Sequence, residues 1–362
     1  YWDWAKYMAM VNPPIPGQRI KGDFNNDGRE DAAVVYDYGN NTVGIWMFLS
    51  TGTGFSAPVR WWMATAGTFD PTRAKWVAGD FTGDGKTDIA AVYDNGNVTM
   101  SLLVFSSTGS SFTGWVTWWQ SAAGQWDWTK ATPLAGDFNA DGKTDIAASY
   151  DYGNNNMSLL VFKSTGTSFL TWTTWWAAGA GQWDSTKAKL VAGDFNNDLK
   201  TDIAALYDYG NFDNRFLVFK STGTAFSTWT TWWSSGVNGW NATKSTLVVG
   251  DFNGDGKKDV GAFYDYGNNN MSLLVFPSTG TSFSTWATWW SSGVGGWDST
   301  KAKPLAGDFT GDGKADVAAL YNYGNNTSKL LVFPSTGSTF QTWAAWWASN
   351  AGDWDWFRSN PF

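Results

Sequence analysis

One interval governs this chain. The tripeptide Gly-Asp-Phe places its Asp at 23, 80, 137, 194, 251 and 308, and every step is 57 residues. Tryptophan pairs keep the same step at Trp61-Trp62, Trp118-Trp119, Trp175-Trp176, Trp232-Trp233, Trp289-Trp290 and Trp346-Trp347. Six units in unbroken register restrict the fold to a repeat architecture, in which each unit buries its apolar faces against its neighbours.

Each unit reads as four strands. In the third, ATPLAGDF (131–138) is a short first strand, DIAASYD (145–151) a second rich in small apolar residues, SLLVFKS (158–164) a buried-type third, and TWTTWW (171–176) an alternating fourth. The turn signals NADGK, YGNNN and STGTS separate them. No segment carries a helical period over ten residues or more. Four strands, six units and no helix predict an all-β fold: a six-bladed β-propeller with four antiparallel strands per blade. A solenoid of stacked sheets is the weaker reading, because no unit resembles a polar end cap. The repeats run over about 17–73, 74–130, 131–187, 188–244, 245–301 and 302–362, so residues 16–362 form one propeller and residues 1–15 an N-terminal arm. A Trp-Asp-type segment precedes most units, at 69, 126, 183, 240 and 297, and recurs at Trp354, which keeps the 57-residue step. Residues 354–362 are therefore expected to complete the ring beside the first blade, with the arm packed outside it or against another chain. The tryptophans of each pair are expected to point to opposite sides of their strand, one towards each adjacent blade.

Composition removes several functions. The chain has no Cys and no His, which excludes Ser-His and Cys-His nucleophiles and the usual zinc ligands. Its formal charge of −8 offers no basic stripe for nucleic acid or acidic lipid, and no apolar run is long enough for a membrane span. The 28 tryptophans serve either packing or a surface that stacks against something flat.

The six loops after the first strands are DFNNDGRED, DFTGDGKTD, DFNADGKTD, DFNNDLKTD, DFNGDGKKD and DFTGDGKAD. Side-chain oxygens at positions 1, 3, 5 and 9, with the carbonyl of position 7, suit a hard cation such as Ca²⁺ if the chain turns tightly at position 6. The candidate ligands are Asp23, Asn25, Asp27, Arg29 and Asp31 in the first loop, and Asp80, Thr82, Asp84, Lys86 and Asp88 in the second. Asp137, Asn139, Asp141, Lys143 and Asp145 follow, then Asp194, Asn196, Asp198, Lys200 and Asp202. The last two sets are Asp251, Asn253, Asp255, Lys257 and Asp259, and Asp308, Thr310, Asp312, Lys314 and Asp316. The alternative is six polar turns capped by their own Asx bonds. Three carboxylates in one short loop repel unless a cation lies between them, so up to six structural Ca²⁺ are expected. Leu199 stands where the turn wants glycine, and its loop is expected to bind most weakly.

AGDFNADGKTDIAA and its five relatives resemble the FG-GAP or VCBS-type repeat over roughly residues 17–353. That repeat builds the propellers of integrin α-subunit heads, many secreted bacterial proteins and a fungal N-acetylglucosamine-binding lectin. The resemblance implies a calcium-stabilised recognition protein, secreted or on a cell surface. It does not extend to the tryptophan-rich fourth strand.

Turns alternate between the two faces of a propeller, so the acidic loops share a face with the STGTS turns. The YDYGN turns share the other with the WDSTK connections. This second face gathers the candidate ligand-binding residues Tyr150, Asp151, Tyr152, Asn154, Trp183 and Asp184, then Tyr207, Asp208, Tyr209 and Trp240, then Tyr264, Asp265, Tyr266, Trp297 and Asp298. Aromatic platforms beside carboxylates and amides suit sugars; the alternative is that these Tyr and Trp pack and these Asp cap backbone. A multivalent lectin for glycans or polysaccharide is the leading reading. A structural or adhesive protein that self-associates through aromatic blade edges and terminal arms is the second. A polysaccharide lyase using Tyr and Lys is the third, weakened because catalysis needs one distinctive constellation and here every candidate is repeated.

Overall fold

The computed structural model describes residues 20–360. Six antiparallel sheets follow one another, and in each the strands pair in chain order. Blade two shows the plan, with strands Ala74–Gly79, Asp88–Gly96, Thr99–Phe105 and Val116–Gln120. The first strands of neighbouring blades contact each other and form the inner wall of the ring. The fold is a six-bladed β-propeller.

Local sequence explains each blade. The second and third strands are packed on both faces, so they read as continuous apolar runs such as Ile89–Val92 and Leu102–Phe105. Paired asparagines with positive φ make the two-residue turn between them, as at Asn154 (52°) and Asn155 (53°), which matches the twist of a tight hairpin. Each apolar cluster spans two blades; Val77, Phe81 and Leu102 of blade two, for example, join Ile146, Leu160 and Phe162 of blade three.

The tryptophan pairs depart from the alternation expected of a strand. In blade three Leu159 pairs with Trp176 and Leu160 with Thr174, so Trp175 is an extra residue in a β-bulge. The bulge turns both rings towards the following blade. Trp175 packs on Phe226 (5.3 Å) and Trp176 on Phe219 (4.8 Å), both in blade four. The bulge carbonyl accepts as well, from Phe226 N. The corresponding pair of blade six, Trp346 and Trp347, meets Phe55 (5.4 Å) and Phe48 (4.9 Å) of blade one. The tryptophans are inter-blade mortar, and the first of each pair in blades one to five is at most 8% exposed. They offer no exposed aromatic edge.

Ring closure draws on both ends of the chain. Lys21–Gly22 pairs with Asp31 and Ala32 at one end of the second strand of blade one. Ser359–Asn360 pairs with Val35 and Tyr36 further along it. Trp354 packs on Tyr36 and Phe48 of that blade at 5.3 and 5.6 Å. The proposed arm, residues 1–15, lies outside the described residues. Among the described residues no helix is long and apolar enough to cross a membrane.

Candidate functional site

The two faces of the ring are built differently. On the acidic-loop face the position 1 carboxylate folds its own loop. Asp23 accepts from Asp27 N (3.0 Å) and Gly28 N (2.8 Å), and Asp251 does the same for Asp255 N and Gly256 N. The position 5 carboxylate meets the cation two residues on, as in Asp84–Lys86 (2.7 Å), Asp198–Lys200 (3.2 Å) and Asp312–Lys314 (2.8 Å). The position 9 carboxylates, Asp31, Asp88, Asp145, Asp202, Asp259 and Asp316, are fully buried. Each accepts from the N–H of the serine that opens the STG turn, for example Asp145 from Ser164 and Asp259 from Ser278 (2.8 and 2.7 Å). Burial is the main cause that pushes these six acids up, to about 7 for Asp31, Asp145, Asp202 and Asp259 and about 6 for Asp88 and Asp316.

The loops also stitch the blades together. The position 1 carbonyl accepts the position 8 N–H of the next blade, as in Thr87 N to Asp23 O and Thr144 N to Asp80 O. Glu30 N to Asp308 O closes the circle. The glycine before each Asp exists for this approach: a Cβ on Gly136 would lie 2.4–2.7 Å from the Thr201 side chain. Leu199 keeps the turn of its relatives, since its N–H donates to Asp194 (2.8 Å) at φ 68° with the side chain exposed. Left-handed backbone costs an L-residue roughly 1–2 kcal/mol. Leu199→Gly is therefore expected to raise stability by about 1 kcal/mol, measured by urea unfolding. Position 4 is left-handed too, at Asn26, Ala140 and Asn197. Sequence reasoning overlooked it, although three of the six loops carry glycine there.

Among the described residues no group of three or more acidic side chains is gathered as a metal-holding cluster; the position 5 carboxylates turn to the Arg or Lys two residues on. The donor chemistry nonetheless fits a hard cation. Asp145 Oδ2 and Asp202 Oδ2 are buried without a hydrogen-bond partner. After burial, the neighbouring Asp137 and Asp141 also push Asp145 up.

The opposite face sorts the sugar candidates into two groups. Trp183, Trp240 and Trp297 are each 3% exposed and wedge between blades, Trp183 against Tyr207 (4.7 Å) and Phe219 (5.4 Å). They cannot stack on a ligand, which corrects the expectation from the sequence. They are held between the fourth-strand tryptophan of the preceding blade, as Trp183 is by Trp176 (5.7 Å), and the aromatic rings of the next, and that second contact is invisible in a linear reading. The first Tyr of each YDYG is a latch: Tyr150 Oη accepts from Asp127 N, Tyr207 Oη from Asp184 N and Tyr264 Oη from Asn241 N. Asp184 and Asp298 cap short 3₁₀ turns through Thr186 and Thr300 and pair with Lys187 and Lys301. These too serve structure. Asn154 sits in the exposed hairpin turn.

What faces solvent is the second tyrosine, Tyr152 (48%), Tyr209 (43%) and Tyr266 (45%), with Tyr323 (44%) as a fourth copy. Beside them Asp151, Asp208 and Asp265 each hold the turn through a glycine N–H (2.7–2.8 Å). Asp151 and Asp265 accept in addition from Ser185 and Ser299 of the following connection (2.5 and 2.7 Å). Asp265 and Ser299 line a cleft of about 290 Å³ between blades five and six, with Lys244 at its rim. A second concavity, about 510 Å³, opens on the acidic-loop face between the same blades, lined by Asn253, Asp312 and Thr336.

A ring of six four-stranded blades, each with an acidic loop after its inner strand, defines a repeat-built propeller. The FG-GAP-like repeat matches residues 23–91, 80–148, 137–205 and 194–262, and the chain belongs to that family. Among solved structures it is similar to an Agrocybe aegerita lectin described for specific recognition of non-reducing terminal N-acetylglucosamine. Identity is 20% over 92% of this chain and 85% of that one, with a TM-score of 0.62. It is also similar to the Aleuria aurantia lectin, a six-bladed propeller with a fucose recognition mode, at 11% identity over 89% and 96% of the chains and a TM-score of 0.47. AofleA from Arthrobotrys oligospora matches at 8% identity over 92% of both chains, with a TM-score of 0.47. At these identities the likeness is one of fold. Among curated proteins no sequence matches the chain.

Proposed function

We propose that the protein is a multivalent carbohydrate-binding propeller, lectin-like and not catalytic, that presents its YDYG-turn face to glycans outside the cell. The observation that carries this reading is the repeated exposed tyrosine, Tyr152, Tyr209 and Tyr266, each next in sequence to a carboxylate with remaining acceptor capacity. A tyrosine face takes the C–H face of a sugar ring while Asp, Ser and Lys groups take its hydroxyls. Several equivalent weak sites gain by avidity on a polymer. The Agrocybe aegerita lectin, with the same fold, supports a glycan as the class of ligand.

A glycan array tests the reading. Binding to at least one glycan is expected, and replacing Tyr152, Tyr209 and Tyr266 together by Ala should weaken it at least tenfold, with urea unfolding establishing that the variant, which loses three tyrosine pairs, is still folded. Absence of binding to every glycan, with concentration-dependent filaments instead, would sink it in favour of an adhesive protein.

Calcium belongs to the same proposal as a brace on the acidic-loop face. Positions 1, 3, 5 and 9 would hold it, and bound Ca²⁺ would neutralise the crowded carboxylates. Calorimetric titration of the chelated protein should show up to six sites, with the Asp194–Asp202 loop weakest. No heat of binding at millimolar Ca²⁺ would remove the brace and leave the glycan face untouched.

A further inference from the structure

At one position the inner strands alternate between two residue types. Their second residue is Lys75, Thr132, Lys189, Thr246 and Lys303 in blades two to six. Each lysine reaches across to the connection that enters the next blade, where its Nζ donates to two backbone carbonyls. Lys75 bonds Trp128 O (2.9 Å) and Ala131 O (2.5 Å). Lys189 bonds Ala242 O (2.6 Å) and Ser245 O (2.5 Å). Lys303 bonds Trp356 O and Ser359 O. Lys75 and Lys303 also lie over the rings of Trp128 and Trp356 at 4.2 and 4.1 Å, a favourable cation–π placement. Three inter-blade clefts are thus plugged by an ammonium group held in one repeated frame.

By the repeat, two clefts have the frame without the plug, and one of them is seen as a cavity. Opposite Thr132 and Thr246 the carbonyls equivalent by the 57-residue repeat belong to Ser185 and Ala188, and to Ser299 and Ala302. Ser299 and Ala302 line the 290 Å³ cleft together with Thr246 and Asp265. The exchange is concerted. Where Lys becomes Thr, the connection residue becomes Ser and donates to Asp151 or Asp265. Each unplugged cleft so offers two carbonyls, a threonine hydroxyl and a carboxylate, all acceptors, to a group with three N–H donors. The rim cation Lys244 is no obstacle in kind, since Lys187 and Lys301 stand two residues before Lys189 and Lys303 in the plugged frames. Lys244 has a neutral cap, Asn241, whereas Lys130 at the other open cleft pairs with Asp127 (3.6 Å).

We propose that the clefts between blades three and four and between blades five and six bind a primary ammonium group, that of an amino sugar with a free amine. The ligand's nitrogen takes the place that Lys75, Lys189 and Lys303 fill elsewhere in the ring. The choice of an amino sugar rests on the carbohydrate-binding reading; the ammonium frame does not. The blade three–four cleft binds the more tightly, because its rim cation is paired.

Calorimetric titration of the intact protein at pH 6.5 with glucosamine, N-acetylglucosamine and butylammonium tests this. Glucosamine should bind at two sites, at least tenfold more tightly than N-acetylglucosamine, and butylammonium should compete. Thr132→Lys with Thr246→Lys should abolish both sites, and Lys189→Thr should open a third. Unfolding curves establish that each variant is folded, and the single variant Thr246→Lys, which should leave one site, serves if the double variant is not. Equal binding of both sugars at these clefts overturns the ammonium proposal and leaves the glycan reading intact. Two butylammonium sites blocked by the lysine variants, with no glucosamine bound, uphold the ammonium frame and overturn the amino sugar as its ligand; the glycan reading itself stands or falls with the glycan array. Glucosamine binding unaffected by the lysine variants, or no binding of either amine, overturns the proposal.

Discussion

Asp259→Ala is expected to cost about 4 kcal/mol of folding stability, from two buried N–H donors left unpaired at roughly 1–3 kcal/mol each. Asp259 is fully buried; one oxygen accepts from Ser278 N (2.7 Å) and the other from Phe252 N (3.2 Å). Those donors belong to the STG turn and the acidic loop, so the side chain is the post between them. Ser278 in turn donates through its hydroxyl to Phe195 O of the preceding blade (2.6 Å), and the loss therefore loosens an inter-blade joint as well. Asp259→Asn should cost about half as much, because an amide keeps one acceptor and sets its NH₂ against the other donor. Urea unfolding of the three proteins decides the matter, with equal losses for Ala and Asn arguing against the post.

The second large effect is on pH. The six buried aspartates have folded-state values of about 6 to 7 against an ordinary 3.8, chiefly through burial. A carboxyl whose pKa is raised by folding binds its proton more tightly in the native state. Its contribution is complete below about pH 4 and is lost as pH rises through 6 to 7. In chelator, acidification from pH 7 to 5 should therefore stabilise the protein and raise its unfolding midpoint. The buried lysines pull the other way. Burial lowers Lys75 to about 8 and Lys303 to about 7 from an ordinary 10.5, so their contribution is present at high pH and lost as pH falls through 8 and 7. The last of it, from Lys303, is lost inside this window and offsets a small part of the gain from the six aspartates. Saturating Ca²⁺ should reverse the slope, since a bound cation favours the ionised carboxylates. A midpoint that falls on acidification in chelator would show that the native loops hold these carboxylates ionised without metal.

The legible parts of the molecule were those written in short-range chemistry. The interval of 57 residues, the glycine and asparagine turns and the apolar runs of the second and third strands each report on a neighbourhood of a few residues. Together they fixed the blade plan and which turns share a face. The same logic assigned the acidic loops their register. It failed at the tryptophan pairs, because a β-bulge depends on how Leu159 and Leu160 pair with the next strand and not on the TWTTWW segment itself. It failed again at Trp183, whose indole is buried by Phe219 and Tyr207 of the following blade. The lysine–threonine exchange at the inner strands was on view in the aligned repeats, yet its meaning needs the carbonyls 53 and 56 residues further on.

The sequence by itself determined a six-fold β repeat with an acidic loop in every unit, since backbone propensity and alternation are properties of adjacent residues. Only the tertiary structure decided which aromatic rings are mortar and which face solvent. It also decided that the position 9 aspartates are buried posts and that a cleft stands open beside Thr246 where lysines plug three others. The reason is the same in each case: burial and hydrogen-bond partnership are set by the neighbouring blade, and the ring must close before that neighbour exists.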